Sequence, residues 1–188
     1  ANLGDINVQS VAGAISTATH GTGARLGNLA TQVVSLDIVT ADGTIRTVDA
    51  GDELQAARVS VGALGVICAV TLETVPAFRL HGVDERRPLD ETLLRIDEFT
   101  DVNDHFEFWA FPHTEYALCR TNNRTEDPVR TRSRAVTYVS ETLLENNLLD
   151  LVSKAGGRFP SQIPRMNRLV ARAFSERDRV NTGHEIFS

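Results

Sequence analysis

Lysine and long apolar runs are scarce in this chain of 188 residues. Lys154 is the only lysine among 19 basic residues, an arginine bias typical of bacteria with GC-rich genomes. No run approaches the roughly 18 apolar residues of a membrane span, and the first residues show neither the basic region nor the apolar core of a signal peptide. Membrane association is therefore not indicated, and we expect a cytoplasmic protein.

Cysteine is also scarce, with only two residues in the sequence. Cys68 lies in the apolar run GVICAVTL and Cys119 in EYALCRT, and the sequence has no CxxC pair and no metal-ligand spacing. Isolated cysteines of this kind predict two buried thiols rather than a disulfide or a metal site.

Positive charge is in deficit, since 25 acidic residues outnumber 19 basic ones and give a net charge of −6. An acidic chain has little electrostatic attraction for nucleic acid or for anionic membranes, so we expect neither as a partner. The 41% of hydrophobic residues is enough for a globular core.

The first 80 residues predict mixed helix and strand. The segment QVVSLDIVTADGTIRTVD predicts two strands joined by a hairpin turn at Asp42-Gly43. The segment DELQAARVSVGALG predicts a short helix with Asp52 as its N-cap and with Gly62 and Gly65 beyond its end. VICAVTLETVPAF then predicts a buried strand.

The sequence changes character beyond Leu80, where we expect a second domain. LDETLLRIDEF predicts a helix led by Asp90, and HFEFWAFP alternates as a strand does. RTNNRTEDPVRTRSR is polar and rich in arginine, which favours a solvated loop over the alternative of an anion site.

Two predicted helices follow near the end of the chain. The first, VTYVSETLLENNLLDLVSKAG, is capped by Gly156. The second, SQIPRMNRLVARAFSE, carries one apolar stripe that predicts core packing and includes Leu169, Val170 and Phe174. The final TGHEIFS resembles the beginning of a strand.

The most unusual stretch is SVAGAISTATHGTG, residues 10–23, which is nearly devoid of large side chains. Such composition is typical of backbone that a ligand approaches closely. Gly21 and Gly23 can adopt positive φ, so successive amides could bind an anion such as a diphosphate. The spacing matches neither a P-loop nor GxGxxG, and His20 by itself is more typical of a histidine held by hydrogen bonds in a turn.

Three motifs in order resemble one family: SVAGAISTATHGTG, LGNLATQVVSLDIVTADGTI and LQAARVSVGALGVICAVTLETVPAF. Together they resemble the sugar-lactone oxidoreductases, which include L-gulono-1,4-lactone and D-arabinono-1,4-lactone oxidases and dehydrogenases and have alditol oxidases as relatives. The resemblance covers residues 4–80 and extends through EFWAFPHTE. It implies a flavoprotein of the vanillyl-alcohol-oxidase type, with FAD as cofactor and a cap domain over the flavin ring.

The resemblance also implies which residues line the cofactor. It places Ser10 near flavin and substrate, which makes it the one candidate catalytic residue. The residues that it implies along the FAD are Ser10, Gly13, Ser16, Thr17, Thr19, His20 and Gly21. It implies that Gly65, Val66 and Ile67 offer main-chain groups to the adenosine part; the residues alone are equally consistent with a helix end followed by a core strand.

The family's N-terminal flavin loop and the C-terminal part of its cap domain are not found in the sequence, so we expect an internal fragment. The expected fold is α+β: residues 1–80 form the C-terminal part of an FAD-binding domain, and residues 81–188 form the N-terminal part of a cap domain. The implied reaction oxidises a sugar lactone, with hydride passing to flavin and electrons to oxygen or another acceptor. The alternatives are an alditol or hydroxy-acid oxidase, with a polyol or hydroxy acid as substrate, and a noncatalytic anion-binding or interaction module.

Overall fold

The computed structural model describes residues 2–4, 8–130, 147–173 and 176–187. The chain divides into two compact units, one of Ala1–Phe78 with Gly183–Ser188 and one of Arg79–Thr182. The return of Gly183–Ser188 to the first unit was not expected from the sequence. The assignment of the two units to an FAD-binding domain and a cap domain stays a prediction.

The first unit is built on a small antiparallel sheet. Its elements up to residue 78 are α1 (Val11–Ser16), β1 (Val33–Val39), β2 (Ile45–Val48), α2 (Gly51–Arg58) and β3 (Val66–Leu72), with a 3₁₀ turn at Leu29–Gln32. The strand order is β2-β1-β3, so β1 is central. Ile15 of α1 and Ala57 of α2 are fully buried and pack with Leu36 of β1 in one apolar core.

The predicted hairpin is confirmed, because β1 pairs with β2 in antiparallel register and Gly43 takes a φ of 81° in the turn between them. Helix α2 begins at Gly51, earlier than the sequence indicates, and its N-cap is Ala50, which makes no side-chain cap bond. The prediction of Asp52 as N-cap is therefore wrong. The Asp52 carboxylate lies in the first turn, where its negative charge interacts favourably with the positive end of the helix dipole.

Strand β3 forms where predicted but is not buried. Among the described residues it pairs with β1 alone, as the edge strand of the sheet, and Val66 is 70% exposed. Cys68 is exposed as well, with its thiol donating to the Asp37 carbonyl at 3.3 Å. The predictions of a buried strand and of a buried Cys68 are wrong, because apolar composition does not reveal whether other elements pack on the two faces of a strand.

The second unit contains a larger antiparallel sheet with helices. Its elements are β4 (Arg79–Pro88), α3 (Leu89–Leu94), α4 (Ile96–Val102), β5 (His105–Ala110), β6 (Tyr116–Thr125), α5 (Asn147–Arg158), α6 (Ile163–Ala173) and β7 (Arg177–Thr182). The strand order is β5-β6-β4-β7. Phe99 of α4 packs on Phe106 of β5, with ring centroids 5.2 Å apart. The final helix, α7 (Gly183–Ile186), belongs to the first unit and replaces the strand predicted at TGHEIFS.

The arginine-rich segment differs from the loop predicted. Residues 116–125 form β6, and Arg120 makes a two-point ion pair with Asp84 of β4, at 2.7 and 3.1 Å. The side chain of Arg120 is 15% exposed and that of Asp84 only 4%. The prediction of a solvated loop is wrong for this part, because cross-strand charges compensate each other inside the sheet. Arg132 and Arg134 lie outside the described residues.

The helices of the second unit also depart from prediction in detail. The single helix predicted to be led by Asp90 is two helices, α3 and α4, which meet at Arg95. Helix α5 continues to Arg158, so Gly156 is an internal residue and not its cap. On α6, Val170 is buried as predicted, whereas Leu169 is 66% exposed. Phe174 lies outside the described residues.

Cys119 is buried as predicted, beside the hydroxyl of Thr92, with 3.6 Å between sulfur and oxygen. Burial raises the pKa of the Cys119 thiol, which keeps it protonated and unreactive.

Candidate functional site

Ser10 lies immediately before α1, at the start of the small-residue run. Its backbone is extended, and its Oγ accepts a hydrogen bond from the Gly13 amide at 3.1 Å, which caps the helix. The side chain is exposed. A hydroxyl that accepts one bond still has its own proton to donate, so Ser10 can cap α1 and donate to a ligand simultaneously.

The residues at the end of α1 hold the run in a tight conformation. The Thr17 hydroxyl donates to the Gly13 carbonyl at 3.0 Å, and the Thr19 hydroxyl donates to Gln9 Oε1 at 3.1 Å. The Thr19 amide bonds to the Ala14 carbonyl at 2.9 Å. These bonds fold residues 9–19 back on themselves, so the hydroxyls lie along one short stretch of backbone.

His20 is exposed, and its Nδ1 lies 2.9 Å from the Gly21 carbonyl oxygen. A carbonyl can only accept, so Nδ1 carries the proton and Nε2 of the neutral ring is left as an acceptor. The histidine is thus held by a hydrogen bond in a turn, as the sequence indicated, with Nε2 as its second hydrogen-bonding nitrogen.

Gly21 is required by close packing rather than by backbone conformation. The described glycines with positive φ do not include Gly21 or Gly23, so that expectation is wrong. A Cβ at Gly21 would lie 2.2 Å from the Leu3 carbonyl oxygen and 2.8 Å from Asn2 Oδ1. The segment 2–4 therefore presses directly against the turn that contains Gly21.

Asn2 fixes this turn and was missed by sequence reasoning. Its side chain is 3% exposed; its Oδ1 accepts from the Gly23 amide at 3.0 Å, and its Nδ2 donates to the Leu26 carbonyl at 3.1 Å. Nothing in the local sequence marks this residue, because its partners lie more than twenty positions away.

The second predicted contact, GALGVI, lies close to the first. The Val61 amide donates to the Ser16 carbonyl at 3.2 Å, which ties the loop before β3 to the end of α1. Gly65 has a φ of 137°, and a Cβ there would lie 2.3 Å from the Val39 carbonyl oxygen. The structure therefore brings the loop that leads to Gly65, Val66 and Ile67 beside the small-residue run.

A half-open cavity of about 230 Å³ lies beside the run in the first unit. It is lined by Asn2, Leu3, Gly4, Gln9, Val11, Ala14, Thr19, Leu29, His184 and Phe187. Among the predicted cofactor residues only Thr19 lines this cavity; Ser10, Gly13, Thr17 and His20 are exposed. The segment 183–187 reaches the cavity from the far end of the chain.

The residues present fit FAD. From Val8 to Leu36 the sequence has no acidic residue, and Arg25 is its only permanent charge. The available groups are amides, hydroxyls and one imidazole, which suit the carbonyl and phosphate oxygens of a dinucleotide. Thr22 Oγ1 is buried and has no hydrogen-bond partner among the described residues. A negatively charged diphosphate would meet no opposing carboxylate along this run.

Other kinds of site find no support in the part of the chain that the structure describes. The described residues contain no group of three or more His, Cys, Asp or Glu side chains that could hold a metal ion. Within the same residues, no helix combines the length and apolarity that crossing a membrane requires.

Two family models match the chain. The model of the FAD binding domain matches residues 1–49, and the model of D-arabinono-1,4-lactone oxidase matches residues 70–188. The first match covers the small-residue run and confirms FAD as the cofactor expected from the sequence.

Curated relatives carry related names. The chain is 47% identical over 187 residues to an L-gulono-1,4-lactone dehydrogenase of Mycobacterium tuberculosis, covering 100% of this chain and 44% of the relative. It is 33% identical over 193 residues to the L-gulonolactone oxidase of Mus musculus, covering 100% of this chain and 43% of the relative. The chain thus spans less than half the length of these relatives.

Among solved structures, a cholesterol oxidase from B. sterolicum is similar with a TM-score of 0.72 and 19% identity, over 92% of this chain and 37% of that one. At this identity the likeness concerns the fold alone. It confirms the α+β fold that was expected from the sequence.

Proposed function

Because the chain belongs to the D-arabinono-1,4-lactone oxidase family, we propose that the intact protein is an FAD-dependent oxidoreductase acting on a sugar lactone such as L-gulono-1,4-lactone or D-arabinono-1,4-lactone. The observation that carries the proposal is the coincidence of the FAD-binding match with the exposed hydroxyls and amides of residues 10–21. The 47% identity to a protein named L-gulono-1,4-lactone dehydrogenase supports the substrate class.

FAD, when bound, supplies the acceptor for the hydride that leaves the carbinol carbon of the substrate. The chain's own contribution is to hold the cofactor in place. The exposed hydroxyls of Ser10 and Thr17 and the Nε2 atom of His20 offer hydrogen bonds, and Gly13 leaves the backbone open to close approach. Ser16, Thr19 and Gly21 shape the same stretch. Ser10, with a proton left to donate, is our candidate for the residue nearest the substrate.

Gly65, Val66 and Ile67 are proposed to meet the adenosine part of FAD through main-chain groups. Val66 is 70% exposed at the start of an edge strand, so its backbone is accessible on the side away from β1. The connection between Val61 and Ser16 holds this second contact near the first.

Electron transfer to oxygen or to another acceptor would complete the cycle, and the relatives' names include both oxidases and a dehydrogenase. We also propose a bacterial protein on the basis of the arginine bias, and we keep the cytoplasmic location as a separate proposal. An alditol or hydroxy-acid oxidase is the second candidate within the same fold. The noncatalytic anion-binding module loses one of its proposed anion-binding residues, because Arg120 is ion-paired within the sheet.

The test is an absorption spectrum of the purified intact protein followed by turnover assays. Bound flavin gives bands at about 370 and 450 nm. We expect L-gulono-1,4-lactone or D-arabinono-1,4-lactone to bleach the 450 nm band anaerobically, and a redox dye or oxygen to restore it. Xylitol and a hydroxy acid serve as comparison substrates. A colourless protein would contradict FAD binding, and a flavin reduced only by the comparison substrates would contradict the lactone assignment.

A further inference from the structure

The cavity of the first unit receives residues from both ends of the chain. Gln9, Val11 and Thr19 reach it from the small-residue run, whereas His184 and Phe187 come from α7 and the residue after it. The FAD-binding match ends at residue 49, so His184 and Phe187 lie outside the part of the chain that it assigns to the cofactor.

Helix α7 is firmly seated in the first unit. The Gly183 amide donates to the Phe78 carbonyl at 3.0 Å, and a Cβ at Gly183 would lie 2.7 Å from the Phe78 ring. Ile186 is fully buried and Phe187 is 6% exposed, whereas His184 is exposed. Packing therefore fixes the helix through other residues and leaves His184 available at the cavity.

The size and chemistry of the cavity limit its occupant. About 230 Å³ is below the usual range for a complete drug-sized ligand, so it admits one ring system rather than a whole dinucleotide. Leu3, Val11, Leu29 and Phe187 offer apolar walls. A lactone with several hydroxyls would leave polar groups against those walls, which is unfavourable, whereas the faces of a planar ring suit them.

The polar lining groups suit the edge of such a ring. Gln9 and His184 carry hydrogen-bonding side chains, and neither brings a negative charge. From this geometry we propose that His184 is a cofactor-binding residue, which holds the edge of a heteroaromatic ring of FAD in this cavity. The inference rests on the proposed function and extends the cofactor site to a residue near the far end of the chain. Isoalloxazine and adenine share the required chemistry.

The experiment is a titration of the intact apoprotein with FAD, followed by quenching of flavin fluorescence. The variant His184→Ala removes the ring, His184→Gln keeps a hydrogen-bonding side chain, and Glu185→Ala is the matched control on the exposed side of the same short helix. One hydrogen bond lost from a ligand corresponds to a rise in Kd of about three- to tenfold. We expect that rise for His184→Ala, a smaller one for His184→Gln and none for Glu185→Ala.

Competition with FMN and with ADP identifies which ring is held. A raised Kd for FMN in His184→Ala would place the isoalloxazine ring in the cavity, and a raised Kd for ADP would place adenine there. Either rise supports the proposal. An FAD Kd within twofold of wild type in His184→Ala would overturn it, as would equal rises in His184→Ala and Glu185→Ala, which would report disturbance of the helix. A raised lactone KM with an unchanged FAD Kd would also overturn it and would assign the cavity to substrate.

The two proposals fail in different ways. A wild-type apoprotein that takes up no FAD would overturn both. Normal uptake by wild type together with normal uptake by His184→Ala would overturn only the role of His184 and would leave the proposed flavoenzyme standing.

Discussion

The substitution Gly21→Ala tests how the small-residue run is held in place. The Cβ of an alanine at position 21 would lie 2.2 Å from the Leu3 carbonyl oxygen, which is more than 1 Å closer than an ordinary van der Waals contact. Both neighbouring atoms within 3 Å belong to the segment 2–4, and one of them is main chain. The segment must therefore move away from the turn, because backbone cannot rotate aside as a flexible side chain can.

The expected cost follows from what that movement breaks. Asn2 is 3% exposed and would lose its bonds to Gly23 and Leu26, at 3.0 and 3.1 Å. A buried polar group left unsatisfied costs about 1–3 kcal/mol, and overpacking adds a similar amount. We expect the free energy of unfolding to fall by about 2–5 kcal/mol and the melting temperature by about 5–15 °C.

The assay is thermal and urea unfolding of the intact protein, with flavin content measured by absorbance. Gly157→Ala is the matched control, because a Cβ at that helical position meets nothing within 4 Å and alanine favours a helix. The control should melt at or slightly above the wild-type temperature. A Gly21→Ala variant that melts within error of wild type would refute the argument from close packing.

Three further experiments test other parts of the structure. Gly13→Val should lower the flavin content per folded protein, because a branched side chain would fill space beside the small-residue run, where FAD is proposed to lie. An unchanged 450 nm absorbance would count against a contact between Gly13 and FAD. Asp84→Asn should destabilise the second unit by about 2–3 kcal/mol, because it removes the closer of the two carboxylates that compensate the largely buried Arg120, leaving Glu107 at 3.6 Å. Urea unfolding measures the loss, and a change within error would show that the Asp84 pair contributes little. Leu169 is 66% exposed, so Leu169→Ala should change the free energy of unfolding by less than about 0.5 kcal/mol. Val170 on the same helix is 6% exposed, so Val170→Ala should lower the free energy of unfolding by about 2 kcal/mol. A lower melting temperature for Leu169→Ala than for Val170→Ala would mean that the helix packs through its other face.

Local patterns predicted the local structure well. The hairpin at Asp42-Gly43 and the strand at HFEFWAFP formed where alternation and turn chemistry indicated. Such features depend on residues that are neighbours in sequence, so the sequence alone carries the relevant energy terms.

Burial was predicted less well. The apolar run around Cys68 became an exposed edge strand, and Leu169, counted among the core residues, points to solvent. The arginine-rich segment was expected to be a loop, but Arg120 is largely enclosed with Asp84. A strand or helix face is buried by residues from distant parts of the chain, and a periodic pattern does not show which face those residues pack against.

The sequence by itself determined the family and the FAD cofactor, because these depend on the identity and order of three motifs. It also singled out the run of small residues that we propose to line the cofactor, because large side chains are almost missing from that run. Tertiary structure alone decided that Gly21 is needed for the approach of Leu3, that Asn2 anchors Gly23, and that His184 lies beside the cavity that Thr19 lines. Each of these relations joins residues far apart along the chain. Their energies arise only when folding brings the partners within van der Waals or hydrogen-bonding distance, so no local pattern encodes them.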